Sequence, residues 1–521
     1  VNSSSPDPDP VPARPLVAHR PALWEWILLL EALVLAAYLR FRWADFDLDD
    51  SFITYSYARS LAEGRGLTFA GMKVLGTTTP LYALMLGGLG AIGVPIVLSA
   101  KIIGLLSAVA ACILMFLLVR AVLGPWFALL ASTLLAINAP HALISMSGME
   151  TGLYVALVLG AFYSFYRGRG VVTACLAGAV CLLRPDGVLL ALVLALAHLF
   201  EWRRVQLASL LCFALPLVIW VVYAWREFGS PIPTSVTAKL AYPEYGAFKL
   251  EVAIRTLGPA VVPYLLGFGA VGLLYACVRV RMLLPLVGWT GLYLLAFTRA
   301  PNFGWYYVPP VPGLIVLMVA GLAGTLAIFR VFRRWKRLAP VGEGLRIAAG
   351  LAASAWILAL GARDALEYRA SMDRTYGRDV TSAYHSLALW VRDNTPQDAT
   401  IAVPEVGYVG FYSERKVLDL AGLCTAEVIP YLRKRHYAEI IHDFRPEYVA
   451  LTTEGNRPLH NVICASPWFQ AHYRACQSFP YRGGSKYIVY ALQDQSRLAS
   501  TSLAAPRPAP SAAPPPRPAS P

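Results

Sequence analysis

The 521-residue chain is 57% hydrophobic and 15% charged, with a mean hydropathy of +0.54, where a soluble chain carries about 25% charged residues. That deficit excludes a soluble globular protein and places most of the chain in a bilayer, at roughly 20 apolar residues per crossing helix. The net charge of +14 falls in short basic clusters between apolar runs, with no basic stripe interleaved with aromatics, so it sets topology and excludes nucleic acid as a partner.

Residues 1–21 are polar and proline-rich and predict a disordered cytoplasmic N-terminus. No small-residue cleavage site follows the first apolar run, so it does not read as a cleaved signal. Apolar runs at 22–40, 100–119, 124–140, 150–166, 171–184, 186–200, 206–225, 256–277, 283–298, 307–329 and 346–363 predict about eleven transmembrane helices in a membrane domain over 22–363. The apolar stretch 80–97 is kept out of that count and placed along, or dipping into, the membrane surface within a first outer loop of 41–99. With it there, the clusters at Arg14 and Arg20, Arg120, Arg167 and Arg169, Arg203 and Arg204, Arg279 and Arg281, and 330–337 all fall on one side, which the positive-inside rule makes the cytoplasm.

The opposite side then collects the segments 46–50, 138–150, 184–187, 226–239 and 299–307. An amphipathic helix over 381–394 and β-rich runs at 399–403, 416–420, 447–452 and 486–492 predict a small extracytoplasmic α/β domain over 364–495. Residues 496–521 form a second disordered, Pro/Ala-rich tail. Five of the eight cysteines (Cys112, Cys175, Cys181, Cys212 and Cys277) lie in apolar runs as packing residues. A Cys464–Cys476 bridge stays open.

Chemistry concentrates on the outer side. Asp45, Asp47, Asp49 and Asp50 stand just after the first span, ahead of an apparently amphipathic helix over 51–64. A carboxylate held there beside apolar walls has a raised pKa and serves as a general base. The plain alternative is that one aspartate caps the helix while the others are solvated. The Asp47–Asp49 spacing also suits a divalent cation, the one cofactor in play. Glu150, at the head of a span, either complements the helix dipole or binds a sugar hydroxyl.

Basic residues are scarce on this side. Arg184 lies where two short spans meet, with Asp186 or a bound phosphate as its partner. Lys239 and Arg299 either snorkel to headgroups or clamp an anionic lipid head. Trp305, Tyr306 and Tyr307 are interface-belt aromatics or sugar-stacking platforms. His141 reads as a loop residue. No Walker or Rossmann glycine pattern is present. A transferase built this way needs a donor activated without a cytoplasmic nucleotide, and a sugar on a polyprenyl phosphate fits. The base takes the acceptor proton, basic residues stabilise the departing phosphate, and a single displacement inverts the anomeric centre.

The segments DDSFITYSYARSLAEGRGLTF (49–69), GTTTPLY (76–82), SGMETGLY (147–154), LLRPDG (182–187), FGSPIPTSVTAK (228–239), WYYVPPVP (305–312) and PEVGYVGFYSERKVLDLAGL (404–423) resemble, in this order, the GT-C class of polyprenyl-phosphate-dependent glycosyltransferases. Within it they are similar to mycobacterial-type terminal β-(1→2) arabinofuranosyltransferases and their bacterial relatives. The resemblance implies a multi-pass protein of a bacterial plasma membrane with juxtamembrane helices in its first outer loop and an outer C-terminal domain. It also implies an acidic catalytic pair, matching Asp49 and Asp50, with Asp49 favoured as the base, and transfer of arabinofuranose or a similar sugar to a cell-envelope glycan. TTTP replaces a pattern nearer YTNP, and the C-terminal domain is short, so mannose stays open as the sugar. A transporter or flippase of lipid-linked sugars is the rival from another class, although neither inverted repeats nor midplane charges are visible. A non-catalytic assembly partner that binds polysaccharide is the third reading.

Overall fold

A computed structural model describes residues 20–202, 206–241, 249–298, 300–301, 303–329, 339–375, 378–454 and 458–493. Residues 1–19, Arg203, Arg204, Arg299, 330–338 and the C-terminal tail lie outside the described residues.

Helices stand at every predicted apolar run. The membrane part opens with α1 (Leu23–Phe41), α2 (Asp49–Ala62), α3 (Pro80–Ala91) and α4 (Ile96–Leu123). It continues with α5 (Pro125–Ile137), α6 (Ala139–Met146), α7 (Thr151–Tyr166), α8 (Gly170–Leu183) and α9 (Gly187–Trp202). After α10 (Leu207–Phe228) come two short helices, α11 (Thr234–Ala241) and α12 (Leu250–Arg255). The bundle closes with α13 (Val262–Val278), α14 (Leu284–Phe297), α15 (Val311–Leu326) and α16 (Ala339–Thr375).

Among the described residues, four helical stretches are long and apolar enough to cross a bilayer alone: α4, α10, α16 and the run 304–329 that contains α15. Two bent pairs raise this to six: α5 with α6, turned by 56°, and α13 with α14, turned by 113°. α3, α7, α8 and α9 are apolar but shorter. The 14 residues of α8 reach about 21 Å at 1.5 Å per residue, against roughly 30 Å of hydrocarbon. Each of the eleven runs therefore contains helix, with run 124–140 crossing the α5–α6 break, but several of these helices are too short or too bent to count as full crossings. The α5–α6 bend has a local cause, because Pro140 supplies no amide and the Asn138 side chain caps the new helix at the His141 N–H. α15 is buried nearly throughout, whereas α10 and α16 turn most of their apolar side chains outward. Such surfaces belong in lipid, and the chain is a polytopic helical membrane protein.

The two ends of the bundle differ. At one end Arg120 pairs with Glu25 (Nη2–Oε1 2.9 Å) beside the carbonyl of Arg20. At the other, α1 leads into the aspartate-rich loop and α2. That helix is not amphipathic in place, since Ser51 to Ala58 are all buried. It is sandwiched between α3 and the C-terminal domain.

The C-terminal domain follows α16, which runs unbroken to Thr375. It contains α17 (Arg378–Asn394), β1 (Thr400–Val403), α18 (Gly407–Tyr412), β2 (Lys416–Asp419), α19 (Ile429–Lys434) and α20 (Tyr437–Phe444). Then come β3 (Tyr448–Thr452), α21 (Pro458–Ala465), α22 (Pro467–His472), β4 (Tyr473–Pro480) and β5 (Lys486–Leu492). The strands form one sheet in the order β2-β1-β3-β5-β4. β1 runs parallel to β2 and β3, and β5 antiparallel to β3 and β4. Period-two alternation splits the sheet into two faces. Ile401, Val403, Val417 and Val489 join the core that runs through α2 into the bundle. Ala402, Leu418, Val449 and Leu451 pack with Leu432, Tyr437, Ile440 and Ile463 of the covering helices. All eight cysteines are free, so the open Cys464–Cys476 bridge is not made.

Candidate active site

The loop ending at α2 divides the labour of its acids. Asp47 pairs with Lys101 of α4 (2.8 Å), whose ammonium also donates to the carbonyls of Phe46 and Met146. Burial raises the Asp47 carboxyl above the usual range, and Lys101 opposes that. Asp49, in the first turn of α2, accepts the Gly407 N–H (2.8 Å) and the Tyr408 N–H (2.9 Å), the first amides of α18. Burial, and next to it Glu405, push its carboxyl well above the usual range against those two bonds. Asp47 and Asp49 are thus directed to different partners and are not aimed at a common ion. Among the described residues no group of three His, Cys, Asp or Glu side chains is placed to hold a metal.

Asp50, one residue on, faces a cavity of about 240 Å³. Burial raises its carboxyl, Lys239 pulls it back and Glu405 adds to the rise. The same cavity is lined by Glu150, Arg184, Asp186, Lys239, Trp305 and Tyr306. Glu150 arrives there through the turn at Gly148, whose φ of 83° favours glycine and where a Cβ would overlap the Tyr55 hydroxyl. The turn is tied to the aspartate loop by the Leu48 N–H donating to the Ser147 carbonyl (3.2 Å).

Arg184 is 3% exposed and held from several sides. Its Nε donates to Asp186 Oδ1 (2.9 Å), and Nη1 lies 3.5 Å from Glu150 and 3.3 Å from Thr151 Oγ1. The guanidinium sits 5.2 Å from the ring centres of both Tyr154 and Tyr306. Asp186, one of its two expected partners, is in place, and Glu150 is a second acid on the same cation. Burial and Asp186 near it raise Glu150 and compete with Arg184, which lowers it; burial dominates.

Among the described residues, Lys239 on α11 is the cation in the cavity with no carboxylate in salt-bridge range. Its Nζ lies 4.8 Å from the Phe303 ring centre, 5.8 Å from Trp305 and 5.9 Å from Tyr306. Burial acts to lower its ammonium, but Tyr306 and Asp50 outweigh that and hold it above its ordinary value. Such a group stays charged and has donors to spare.

One further expected site residue falls elsewhere. Tyr307 turns away from the acids and lines a separate cavity with Asp364 and Tyr368, its hydroxyl accepting the Lys249 N–H (3.1 Å). Neighbouring residues of one 3-10 turn (Gly304–Tyr307) stand about 120° apart, which separates Tyr306 from Tyr307. Arg299 lies outside the described residues. His141 is not a loop residue but is buried in α6, with Nδ1 2.7 Å from Arg40 Nη2.

The cavity also has a hydroxyl edge that no spacing in the sequence marks. Thr77, Thr78 and Thr79 line it. Thr79 shares hydrogen bonds of 3.1 Å with both Thr54 and Thr77. Ser235 of α11 lines it too, with a buried hydroxyl that finds no hydrogen-bond partner among the described residues.

Comparison with known proteins bears on the fold. Residues 371–490 match a Domain of unknown function (DUF8728). No curated protein matches in sequence. Among solved structures, ArnT from Cupriavidus metallidurans bound to undecaprenyl phosphate is similar over 90% of this chain and 98% of that one, with a TM-score of 0.59 and 14% identity. The same protein in its apo state gives a TM-score of 0.55 at 14% identity, over 90% and 97% of the two chains. The Archaeoglobus fulgidus oligosaccharyltransferase in its apo form gives 0.55 at 12% identity, over 87% of this chain and 73% of that one. The likeness covers the bundle and the C-terminal domain together, and the chain has a GT-C-like, ArnT-like fold.

Proposed function

We propose that the protein is an inverting glycosyltransferase that moves a sugar from a polyprenyl-phosphate donor to a cell-envelope glycan at the outer face of a bacterial plasma membrane. One observation carries this reading: a single cavity gathers the Asp50 carboxylate, the Lys239 ammonium and the Arg184 guanidinium, with Trp305 and Tyr306 as its aromatic wall. The fold shared with a structure bound to undecaprenyl phosphate is consistent with it. Asp50 is the base. Asp49, favoured from the resemblance, already has both carboxylate oxygens on backbone amides.

In the proposed step Asp50 takes the proton of the acceptor hydroxyl as that oxygen bonds to the anomeric carbon. The bond from that carbon to the phosphate oxygen breaks on the opposite face, and polyprenyl phosphate leaves with the electron pair. Lys239 stabilises the departing charge, with Arg184 behind it. Trp305 and Tyr306 offer stacking faces to the sugar ring, and the threonine edge and Glu150 offer hydrogen bonds to its hydroxyls. Arabinofuranose as the sugar rests on the resemblance of 49–69 and 404–423 alone.

The test is transfer by purified wild type and Asp50→Asn from a panel of polyprenyl-phosphate sugars, arabinofuranose and mannose included, onto mixed envelope glycan. Transfer from one donor, lost by at least about 100-fold in Asp50→Asn, is the expected result. Labelled lipid crossing liposomes with no transfer from any donor would instead make the protein a transporter.

A further inference from the structure

We propose that the C-terminal domain is a wall of the catalytic cavity rather than an appended module, and that Asp49 is the clasp that docks it and thereby aims Asp50. This rests on the reading of Asp50 as the reacting carboxylate.

Three observations converge on the clasp. Both oxygens of Asp49 are used by the Gly407 and Tyr408 amides, 358 and 359 residues away in sequence. At Gly407 a Cβ would overlap the Asp49 carbonyl oxygen, so the backbones of α2 and α18 touch where only glycine fits. Further along α2, Phe52 lies on Tyr408 with ring centres 3.9 Å apart, and Arg59 sits 4.6 Å over the Phe411 ring. Asp49 is therefore a cap in trans, satisfying the amides that open α18.

A second seam shows what the docking builds. The Asp419 carboxylate accepts the amides of Ala421, Gly422 and Cys424 and so fixes the loop after β2. That loop presses Leu423 and Cys424 against Gly76, where a Cβ would again collide. Leu423 lines the same cavity as Asp50, so the domain supplies part of its surface. Asp49 and Asp50 are consecutive in one helical turn; whatever fixes the first fixes the direction of the second. Asp49 is a positioning residue, and its chemistry is that of a double acceptor.

The experiment compares full-length Asp49→Asn, Asp49→Ala, Gly407→Ala and Asp50→Asn in detergent, by amide hydrogen exchange over 404–412 and by transfer kinetics. An asparagine at 49 keeps one acceptor oxygen and alanine keeps none. A clasp therefore predicts graded effects: kcat down roughly 10-fold in Asp49→Asn and 100-fold in Asp49→Ala, with donor KM within about 3-fold. Exchange over 404–412 should rise at least 10-fold in both Asp49→Ala and Gly407→Ala, and stay at the wild-type rate in Asp50→Asn. Asp49→Asn as inactive as Asp49→Ala, with wild-type exchange in both, would make Asp49 the reacting group and overturn the clasp. Should wild type transfer no sugar, the proposed function fails, while the exchange measurement still decides whether Asp49 docks the domain.

Discussion

In the proposed reaction Asp50, as the base, and Lys239 set the acid side between them. A base works deprotonated, so transfer falls as pH drops through the folded pKa of Asp50. Burial raises that pKa and Lys239 lowers it, so Lys239→Ala should move the acid limb of the kcat/KM profile to higher pH. It should also raise donor KM roughly 10- to 100-fold, the usual range for losing a hydrogen bond to a charged group. Lys239→Arg should leave the limb in place, because the charge stays. A pH series on the three proteins checks both effects, and an unmoved limb with unchanged KM would remove Lys239 from the phosphate cradle. Residue types were the readable part of this site. Acids in the first outer loop, Glu150, Arg184, Lys239 and Tyr306 are all visible in sequence as residues in the wrong solvent, and the fold brings Asp50 and those four to one cavity. Their partition was not readable. That Asp49 serves α18 depends on an amide pair more than 350 residues away, and that Tyr306 and Tyr307 separate depends on a 3-10 turn. A row of hydroxyls such as Thr77–Thr79 has no period to betray it.

At the scale of elements, apolar runs located the helices because lipid rewards nothing else, yet they did not locate the breaks. The α5–α6 bend turns on Asn138 and Pro140, two residues inside a run that otherwise reads as one span. α2 carries polar residues, such as Ser51, Thr54 and Ser56, that are all buried in place, so its sequence looks amphipathic while its surroundings are not. β4 escaped because its pattern is irregular. Its sequence YRACQSFP has an irregular burial pattern and a bulge between Ala475 and Gln477, so the period-two signal is lost. Some inter-element ties are plain ion pairs, and one sets the basic end of the bundle. Glu25 is 4% exposed and holds Arg120 across the α1–α4 contact. Removing either partner takes a charge-assisted hydrogen bond from the other, so Glu25→Ala or Arg120→Ala should each cost about 2 kcal/mol, seen as a fall of several degrees in thermal unfolding in detergent. The exchange Glu25→Arg with Arg120→Glu should recover most of that loss. Recovery is the informative outcome, since it separates the pair from the packing of either side chain alone.

For the whole molecule the remaining question is which way round it sits. The acids, the cavity and the C-terminal domain occupy one end, while Arg20 and Arg120 mark the other, as do Arg167 and Arg169 in the turn joining α7 to α8. We propose that the basic end faces the cytoplasm, as positive-inside asymmetry favours. The proposed donor is consistent with that orientation, because a phosphate leaving group on a lipid carrier serves a compartment without nucleotide sugars. Single cysteines placed at Lys486 on β5 and at Arg169 between α7 and α8, both exposed, in a background with the native cysteines replaced by serine, read this directly. A membrane-impermeant maleimide added to intact cells should label Lys486→Cys and spare Arg169→Cys until the membrane is opened. Labels reversed would place Asp50 and Lys239 on the cytoplasmic face, where an acceptor glycan of the envelope is absent. The site would then have to act before export of the lipid-linked product, on a soluble or carrier-bound acceptor. Orientation therefore decides the substrate as well as the address, because the same two charged groups would do the same displacement on a different partner.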